Sequence, residues 1–383
     1  MTKRIAILGS TGSIGRSTLD VAAHLGTDCA VCGLAAKRSW QALADQIRRW
    51  RPDVAALCDE AAAKQLQRCL NGGTELLAGE ASLVDLVRRC DCDVVVAAVV
   101  GAAGLPATLA AVEAGKTVAL ANKEALVVAG SLIVPRLAET GARILPVDSE
   151  HSAVFQSMLS GRREEVKRIY LTASGGPFRT WSAEQMAEAT VEDALRHPTW
   201  NMGPKVTIDS ATLMNKALEI IEAKWLFGLD VDSIEVLIHP ESIIHSMVEF
   251  CDGSVVAQLG TPDMRTPIQY ALTYPERRPG CSDRLDWSAI RRLHFEPPDL
   301  ERFPALRLGY EAARAGGTAG AVLNAANEEA VQAFREARIP FGRIVSTVEQ
   351  VLRRHRFLAA PTLEDLLAAD RWARQEVSRC LDA

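Results

Sequence analysis

The first 25 residues contain the feature that most constrains the fold, because a strand, a glycine-rich turn and a helix follow one another directly. Ile5–Leu8 is predicted as a buried strand, Gly9–Gly15 as the turn and Arg16–Leu25 as the helix. Glycines permit a tight turn whose backbone N–H groups approach a pyrophosphate at the helix N-terminus. The spacing is GxxGxxG rather than GxGxxG, so the position between strand and helix carries the prediction of a dinucleotide site. An ordinary glycine-rich turn is the alternative.

The residues after the second predicted strand, Ala30–Leu34, indicate which dinucleotide would bind. An NAD site usually places an acid about 20 residues beyond the glycines to hold the ribose 2′-hydroxyl. Here Lys37 and Arg38 occupy that place, and the Ala35–Ser39 segment contains no acid. Basic side chains favour a 2′-phosphate, so we predict NADPH rather than NADH. Two solvated loop residues would fit the same pattern.

Strand and helix patterns continue to alternate up to about residue 147. Such alternation predicts a parallel sheet covered by helices, and hence an α/β fold with an N-terminal Rossmann-type dinucleotide-binding domain. The further elements are predicted at Asp53–Leu57, Asp93–Val100, Leu105–Ala114 and Thr117–Ala121.

Charged side chains follow two of these strands. Lys123 and Glu124 follow one, and Asp148 and Glu150 end the next, which begins at Arg143. Read as strand residues, the two acids point the same way, because strand side chains alternate. Adjacent carboxylates repel unless they share a proton or a cation lies between them, and their oxygens suit Mg²⁺ or Mn²⁺. The acids are therefore a candidate metal site, with two solvated surface acids as the alternative.

Composition narrows the class of protein. The chain has 383 residues, of which 48% are hydrophobic and 24% charged, so two or three globular domains are expected. A net charge of -5 without a basic run argues against a nucleic-acid partner. No apolar run is long enough to span a membrane, and no targeting segment precedes the first strand, so we expect a cytoplasmic protein with no membrane partner.

The chain contains nine cysteines, an odd number that predicts reduced thiols in a protein of this kind. Cys29 and Cys32 have CxxC spacing but lie in an apolar, strand-like run. We interpret them as structural rather than as a redox or zinc motif.

The centre of the chain contains two segments that could hold a ligand. Ser174–Gly176 follows the predicted strand Ile169–Thr172 and could offer a hydroxyl and backbone N–H groups to an anion. His197–Lys205 mixes aromatic, hinge and basic residues, a mixture typical of a lid that excludes water. A plain surface loop explains the second segment equally well.

An amphipathic helix is predicted over residues 211–227, with Asp209 or Ser210 as its N-cap. Asn215 and Glu219 share one face, with Lys216 beside them. A serine, an asparagine and a lysine in the first turns make a plausible phosphate cradle, supported by the helix dipole. Glu219 could bring a third carboxylate to the metal. An exposed polar helix face is the competing interpretation.

The remaining residues predict a sheet, a linker and a helical bundle. Strands at 234–238, 243–250 and 254–259 predict an antiparallel or mixed sheet whose open edge could pair with a second subunit, with His239 and His245 as structural residues. Proline-rich residues near 274–304 predict a linker. Four helical patterns follow and predict a bundle, near 305–316, 319–337, 342–355 and 362–380. Asn324, Asn327 and Glu328 could reach the active site, but we expect them on the bundle surface.

The predicted division therefore has four parts. Residues 1–149 form the NADPH-binding domain and residues 150–273 an α+β catalytic domain that binds metal and substrate. Residues 274–304 are the linker, and residues 305–383 form the C-terminal helical domain.

The ordered series of motifs resembles the 1-deoxy-D-xylulose 5-phosphate reductoisomerase family over nearly the whole chain, most specifically at Asp209–Glu219. Glu241 and Glu329 depart from the family pattern, where glutamine and an apolar residue are more usual. The motifs are Gly9–Gly15, Asn122–Glu124, Asp148–His151, Ser174–Phe178, His197–Gly203, Asp209–Glu219, Ser242–Ser246 and Pro262–Arg265.

The resemblance implies a homodimeric enzyme that uses NADPH and Mg²⁺, Mn²⁺ or Co²⁺. It would rearrange and reduce 1-deoxy-D-xylulose 5-phosphate, a phosphorylated sugar, to 2-C-methyl-D-erythritol 4-phosphate in non-mevalonate isoprenoid biosynthesis. The implied metal ligands are Asp148, Glu150 and Glu219, and Lys123 and Glu150 are the candidates for proton transfer.

The same resemblance assigns the remaining contacts. Substrate would be bound by Lys123, Ser149, Glu150, Ser174, His197, Trp200, Ser210, Asn215, Lys216, Glu219 and Met264. With the glycine turn included, the cofactor set is Gly9, Ser10, Thr11, Gly12, Ser13, Ile14, Ala36, Lys37, Arg38, Asn122, Glu124 and Gly203.

Two other functions stay open at the level of sequence. One is another NADPH oxidoreductase of similar build, of the homoserine or semialdehyde dehydrogenase type, which needs no carboxylate metal triad. The other is a non-catalytic NADPH sensor, which binds the cofactor without oxidising it.

Overall fold

Seven short strands form a parallel sheet in the first part of the chain. The structure, a computed structural model, describes residues 2–70 and 72–382. The strands are β1 (Lys3–Leu8), β2 (Cys29–Ala36), β3 (Val54–Leu57), β4 (Glu75–Ala78), β5 (Val94–Ala97), β6 (Thr117–Leu120) and β7 (Arg143–Pro146). Their order is β4-β3-β2-β1-β5-β6-β7, and every neighbouring pair is parallel.

Helices connect these strands, as parallel pairing requires. The connecting helices are α1 (Ser13–Leu25), α2 (Trp40–Trp50), α3 (Glu60–Cys69), α4 (Ser82–Arg89), α5 (Leu105–Glu113) and α6 (Glu124–Thr140), and α7 (Ser149–Met158) follows β7. The strand order reverses at β1, which lies between β2 and β5. Ligands of open α/β sheets bind at such a switch point, beyond the carboxyl ends of the strands. The predicted Rossmann-type fold is confirmed.

A second, four-stranded sheet lies further along the chain. Its strands are β8 (Val166–Ala173), β9 (Ile234–Ile238), β10 (Ile244–Phe250) and β11 (Val255–Leu259). The order is β11-β10-β8-β9, in which β8 and β9 are parallel and the other two pairs antiparallel. The predicted mixed sheet is confirmed, and β11 forms one of its edges.

The remaining helices include the predicted C-terminal bundle, whose four helices begin and end within two residues of the predicted positions. The helices are α8 (Ala183–Ala187), α9 (Val191–Ala194), α10 (Pro204–Ala211), α11 (Met214–Phe227), α12 (Arg265–Thr273), α13 (Ala305–Ala315), α14 (Ala319–Arg335), α15 (Arg343–Arg354) and α16 (Leu363–Asp382). None of the helices in the described part of the chain is both long and apolar enough to cross a membrane.

The chain divides into two units, each with its own interior. Unit 1 consists of Met1–Ala125, Ile133–Ser152 and Asp263–Asp283. Unit 2 consists of Leu126–Leu132, Ala153–Pro262 and Arg284–Ala383. The four-part division given above stays a prediction.

Helix α11 is fixed in the core of unit 2 by close backbone approaches. A Cβ on Gly309 of α13 would lie 2.7 Å from the Cα of Ala217, so only glycine allows the two helices to approach this closely. The Trp225 ring packs on Gly130, where a Cβ would lie 2.3 Å from the ring. Lys224 Nζ donates to the carbonyl of Ala313 at 2.5 Å. The polar side chains of α11 therefore project from a rigid support.

Two local predictions are wrong. The strand before the acidic pair ends at Pro146, and α7 begins at Ser149, so Glu150 lies in a first helical turn. The amide of Ser152 donates to the carbonyl of Asp148 at 2.8 Å, which places Asp148 at the N-cap. Aspartate and serine are preferred at a helix N-cap because their side-chain oxygens can accept hydrogen bonds from the unpaired N–H groups of the first turn. The negative charge of aspartate is also stabilised there by the helix dipole.

The N-cap predicted for the central helix is also wrong, because residues 204–211 form α10. Pro204 stands at the start of α10, where its fixed φ suits a first helical residue. Asp209 and Ser210 therefore lie inside a helix. Leu213, with φ +57°, separates α10 from α11 in a left-handed conformation.

Candidate active site

The glycine turn after β1 leaves no room for side chains. Gly9 has φ +87°, and a Cβ there would lie 2.5 Å from the carbonyl oxygen of Ala98. A Cβ on Gly15 would lie 2.3 Å from the carbonyl oxygen of Gly9. Helix α1 has Gly12 as its N-cap, so no capping side chain competes for the N–H groups of its first turn. The turn is built for backbone contact with an anion.

Ser10 braces this turn from within. Its Oγ donates to Gln46 Oε1 at 2.7 Å, and Gln46 Nε2 donates to the carbonyl of Ser10 at 2.9 Å. The backbone amide of Ser10 donates to the carbonyl of Ala35 at 2.8 Å. Ser10 is fully buried, so its hydroxyl holds the turn against α2.

Lys37 and Arg38 directly follow Ala36, the last residue of β2, and both are exposed. Within residues 2–70 and 72–382 neither side chain takes part in an ion pair. Two cationic groups are thus available beside the carboxyl end of β2, the position that the NADPH prediction requires.

The ends of β6 and β7 carry a buried ionic group. Lys123 Nζ pairs with Asp148, and the two side chains are 10% and 15% exposed. Ser149 Oγ donates to Glu150 Oε2 at 2.5 Å. Both carboxylates lie at the N-terminus of α7, where the helix dipole stabilises negative charge.

Asn122 organises the end of β6. Its buried amide donates to the carbonyls of Val99 and Gly101, the latter at 2.8 Å. Its Oδ1 accepts from the amide of Ala125, in the first turn of α6, at 2.9 Å. Glu124, the first residue of α6, is 5% exposed. The predicted cofactor contacts of Asn122 and Glu124 stay predictions.

In unit 2, Ser174 and His197 are in direct contact. Ser174 Oγ lies 2.9 Å from His197 Nε2 and accepts from the amide of Gly176 at 3.1 Å. His197 Nδ1 accepts from the amides of Thr199 and Trp200 at 3.1 and 2.9 Å. An acceptor Nδ1 places the proton of the neutral ring on Nε2, so His197 donates to Ser174. The predicted lid segment is therefore attached to the Ser-Gly-Gly turn.

Helix α10 is anchored by Asp209, whose side chain is 1% exposed. Lys205 Nζ lies 2.8 Å from its Oδ2, and Asn327 Nδ2 donates to its Oδ1 at 2.8 Å. Ser210 follows, half-buried, and a Cβ on Gly176 would lie 2.5 Å from its carbonyl oxygen. The Ser-Gly-Gly turn and the end of α10 are thus packed together.

Helix α11 presents a buried carboxylate between two donors. Asn215 Nδ2 donates to Glu219 Oε1 at 2.6 Å, and Lys216 Nζ lies 2.5 Å from Oε2. Lys216 is 3% and Glu219 0% exposed. The competing interpretation of an exposed polar face is wrong for Lys216 and Glu219, because both are buried. A buried carboxylate persists only when it is paired or bound.

The remaining predicted residues have defined positions. Trp200 faces His245, with ring centroids 6.0 Å apart. Gly203 is the exposed N-cap of α10. Met264, half-buried in unit 1, is the N-cap of α12. His239 is structural as predicted: its Nδ1 contacts the carbonyl of His294 at 2.8 Å and its Nε2 accepts from two backbone amides.

Sequence reasoning missed two features of unit 2. Glu222, three residues after Glu219, is fully buried in an otherwise apolar part of α11. The two acids at this spacing share a helix face, which was a usable signal. Asn324 and Asn327 are fully buried, so their predicted place on the bundle surface is wrong. The contact between Asn327 and Asp209 explains why Asn327 is buried.

Three family models cover most of the chain. Residues 5–130 match the model described as 1-deoxy-D-xylulose 5-phosphate reductoisomerase. Residues 144–227 match that enzyme's C-terminal domain, and residues 259–376 match the DXP reductoisomerase C-terminal domain. The 1-deoxy-D-xylulose 5-phosphate reductoisomerase of Pelotomaculum thermopropionicum is 53% identical over 374 residues, which is 97% of each chain. The chain belongs to the 1-deoxy-D-xylulose 5-phosphate reductoisomerase family.

Other members of the reductoisomerase family agree in sequence and fold. The Gloeobacter violaceus enzyme is 52% identical over 98% of this chain and 96% of its own. The Zymomonas mobilis reductoisomerase in complex with NADPH superposes with a TM-score of 0.94 at 45% identity, covering 100% of both chains. A DOX-P reductoisomerase in complex with NADPH, fosmidomycin and magnesium gives 0.93 at 40% identity, covering 99% of this chain and 98% of its own. The family that the chain matches is therefore the reductoisomerase family and not a homoserine or semialdehyde dehydrogenase family. The matching relatives carry the name of an enzyme rather than of a sensor.

Proposed function

We propose that the chain catalyses the NADPH- and divalent-metal-dependent conversion of 1-deoxy-D-xylulose 5-phosphate into 2-C-methyl-D-erythritol 4-phosphate in non-mevalonate isoprenoid biosynthesis. The observation that carries the proposal is 53% identity, over 97% of both chains, to a reductoisomerase. Features of each unit support it independently. Unit 1 has a glycine turn suited to backbone contact with an anion and two carboxylates at the start of α7. Unit 2 has a buried carboxylate beside polar donors.

Asp148, Glu150 and Glu219 are the proposed metal ligands. Asp148 and Glu150 stand at the start of α7, Glu219 is a fully buried carboxylate of α11, and the family resemblance implies that the three share one ion. Carboxylate oxygens suit Mg²⁺ and Mn²⁺, and the family also implies Co²⁺. Reductoisomerases of known structure have been crystallised with magnesium. When bound, the ion would polarise the substrate's oxygens as a Lewis acid.

The lysines beside these carboxylates fit roles in substrate binding. Lys123 pairs with Asp148, and Lys216 lies 2.5 Å from Glu219. Each ammonium group could contact a substrate oxygen that approaches its own carboxylate. Ser149, which donates to Glu150, would hold that carboxylate in position. Lys123 and Glu150 are the proposed proton-transfer groups, and Trp200 and Met264 would cover the bound substrate.

The substrate phosphate would bind in unit 2, at Ser174, Ser210, Asn215 and Lys216. Ser174 Oγ accepts from His197 and from the amide of Gly176, so its own proton can be donated to a phosphate oxygen. Binding energy gained at a phosphate distant from the reacting carbons orients the substrate for reaction. His197 connects this contact to the segment that would close over the ligand.

NADPH would bind at the carboxyl edge of the parallel sheet. The backbone of Gly9–Ile14 would receive the pyrophosphate, and Ala36, Lys37 and Arg38 the 2′-phosphate end. Asn122 would fix the neighbouring strand end, with Glu124 and Gly203 as further contacts. Hydride delivery is then the cofactor's own chemistry, for which the protein supplies position.

The assembly and compartment are part of the proposal. A homodimer is supported by β11, an edge strand whose Val255 is 51% exposed and whose backbone could pair with another chain. A cytoplasmic location is supported by nine cysteines that are all free thiols.

A single absorbance assay tests the activity. NADPH oxidation is expected when 1-deoxy-D-xylulose 5-phosphate and Mg²⁺ are added, and it should stop when a chelator removes the ion. NADPH binding without oxidation would instead identify a sensor. Oxidation that is insensitive to the chelator would contradict the metal site and leave only the reductase part of the proposal.

A further inference from the structure

The Ser-Gly-Gly turn of unit 2 is in close contact with two neighbours. Gly175 and Gly176 have φ values of +85° and +69°, in the left-handed region that favours glycine. A Cβ on Gly176 would lie 2.5 Å from the carbonyl oxygen of Ser210, and a Cβ on Gly175 would lie 2.6 Å from Cδ of Arg179. The end of α10 and the side chain of Arg179 therefore both limit the conformation of the turn.

Arg302 holds the backbone from which the Arg179 side chain projects. Its Nη1 donates to the carbonyl of Arg179 at 3.1 Å and to the carbonyl of Trp181 at 2.7 Å. Its Nε donates to Asp299 Oδ2 at 2.7 Å, and its guanidinium lies over the Phe303 ring, 5.4 Å from the centroid. Hydrogen bonds from a charged donor are stronger than neutral ones. One cation thus fixes two carbonyls of the segment that follows the turn.

The segment before Arg302 is attached to the sheet beside the turn. Ile238 of β9 pairs with Ala173, the last residue of β8, which directly precedes the turn. Glu296 forms an antiparallel bridge with Ile238 through two hydrogen bonds of 2.9 and 3.0 Å. The carboxylate of Glu296 accepts from Arg179 Nη1 at 2.8 Å. The segment therefore links the strand beside the turn to the residues that follow the turn.

Exposure decides which of these contacts restrains the turn more strongly. The side chains of Arg179 and Glu296 are 32% and 50% exposed, and ion pairs at such positions contribute little. The hydrogen bonds from Arg302 to the two carbonyls are partly buried, and a buried carbonyl that loses its donor is costly. The carbonyl contacts of Arg302 are therefore the stronger restraint.

We propose that Arg302 is a positioning residue for phosphate binding, which acts through Arg179 to hold the Ser-Gly-Gly turn in the conformation that directs Ser174 at a phosphate. The inference rests on the phosphate site of the proposed function. Ser174 Oγ accepts from the amide of Gly176 at 3.1 Å, so the direction in which it donates its own proton depends on the shape of the turn. Loss of the Arg302 contacts should therefore weaken phosphate binding.

Calorimetric titration of the full-length protein with inorganic phosphate tests the proposal, with the cofactor site saturated with NADPH. Arg302→Met keeps an unbranched stem beside Phe303 but removes every donor, and it should raise the dissociation constant of phosphate by roughly tenfold. Arg314→Met is the matched control, because Arg314 also pairs with an aspartate, Asp232, and lies over an aromatic ring, that of Tyr310. It should bind phosphate as the unsubstituted protein does.

Ser174→Ala separates failure of this inference from failure of the phosphate site. Weaker phosphate binding in both Ser174→Ala and Arg302→Met supports the proposal. If Ser174→Ala weakens binding and Arg302→Met does not, the positioning role of Arg302 is overturned and the phosphate site stands. If the unsubstituted protein binds no phosphate, or Ser174→Ala leaves binding unchanged, the phosphate site of the proposed function fails and the inference fails with it.

Steady-state kinetics distinguishes positioning from loss of fold. In Arg302→Met, KM for 1-deoxy-D-xylulose 5-phosphate should rise by roughly tenfold, kcat should change by less, and the dissociation constant of NADPH should stay the same. A partly unfolded variant contains less active enzyme, which lowers the apparent kcat and leaves KM unchanged. A fall in kcat at constant KM would therefore contradict the positioning role.

Discussion

Asn327 Nδ2 donates a hydrogen bond to Asp209 Oδ1 at 2.8 Å, although 118 residues separate the two. Both side chains are almost fully buried, and the bond joins α14 to α10 in the interior of unit 2. The helix that carries Ser210 is thereby held by a residue of the C-terminal bundle. The bundle is consequently part of the support of the proposed phosphate site.

Asn327→Ala should lower the free energy of unfolding by roughly 2 to 3 kcal/mol, because a buried carboxylate loses one of its hydrogen-bond donors. Chemical denaturation measures the change. Gln332→Ala, which removes an exposed amide from the same helix, is the matched control and should change stability little. A loss of equal size in both variants would show that the Asp209 contact contributes nothing specific.

Glu150→Gln should reduce kcat/KM by roughly a hundredfold or more and raise the Mg²⁺ concentration needed for half-maximal rate, because a ligand charge is lost. Steady-state kinetics over a range of Mg²⁺ concentrations measures both effects. NADPH binding should persist, which separates loss of the metal site from loss of fold. Glu139→Gln, at an exposed position of α6, is the control. Unchanged turnover and metal dependence in Glu150→Gln would contradict the proposed site.

Lys37→Ala combined with Arg38→Ala should weaken NADPH binding by roughly tenfold or more while affecting NADH much less, since only NADPH carries the 2′-phosphate. Titration with each dinucleotide gives the two dissociation constants. Lys64→Ala removes an exposed cation from α3 and controls for net charge. Equal losses for both cofactors would refute the 2′-phosphate role.

Gly15→Ala should abolish measurable NADPH binding, because the added Cβ would lie 2.3 Å from the backbone oxygen of Gly9 and would open the turn. Gly280→Ala, where no atom lies within 4 Å of the added Cβ, should bind normally. Cofactor fluorescence titration compares the two variants. Retained affinity in Gly15→Ala would show that the turn does not shape the cofactor site.

His355 should make unit 2 less stable in mild acid. Burial lowers the pKa of its imidazole, which lies 2.7 Å from Thr318 Oγ1. With the folded pKa depressed, the unfolded chain binds the proton first, so stability is lost as pH falls through the unfolded value of about 6.5. The free energy of unfolding, measured by chemical denaturation at neutral pH and at about pH 5.5, falls between the two pH values. In His355→Gln this fall should be smaller than in the unsubstituted protein by up to about 1 kcal/mol. His24→Gln, at an exposed site, should leave the fall unchanged.

The sequence predicts those elements whose signals are local. The glycine turn of Gly9–Gly15 and the helices of the bundle follow from periodicity and backbone chemistry, so both were predicted within a few residues. The segment around Asp148 was misassigned because a short strand followed by a polar residue and a first helical turn looks like one longer strand. Asp209 and Ser210 were predicted as an N-cap because both residue types favour that position, although Pro204 already starts a helix there.

Long-range partners could not be predicted. Nothing near Asp209 in the chain indicates Asn327, and nothing near Arg179 indicates Arg302, 123 residues later. Such contacts depend on tertiary packing. The residues alone indicated a metal site at Asp148 and Glu150 with Glu219 as a possible third carboxylate, and only the family resemblance named the three as one ligand set.

The place of β1 between β2 and β5 also sets an order of assembly. Ile5 pairs with Val94, and the Gly9 turn packs against the backbone of Ala98. The turn therefore cannot reach its final conformation until the chain has been synthesised to about residue 98. During synthesis, therefore, a growing chain carries the complete glycine motif long before it can bind a dinucleotide. Cofactor affinity should not appear before roughly a hundred residues have left the ribosome, because β5 must first pair with β1.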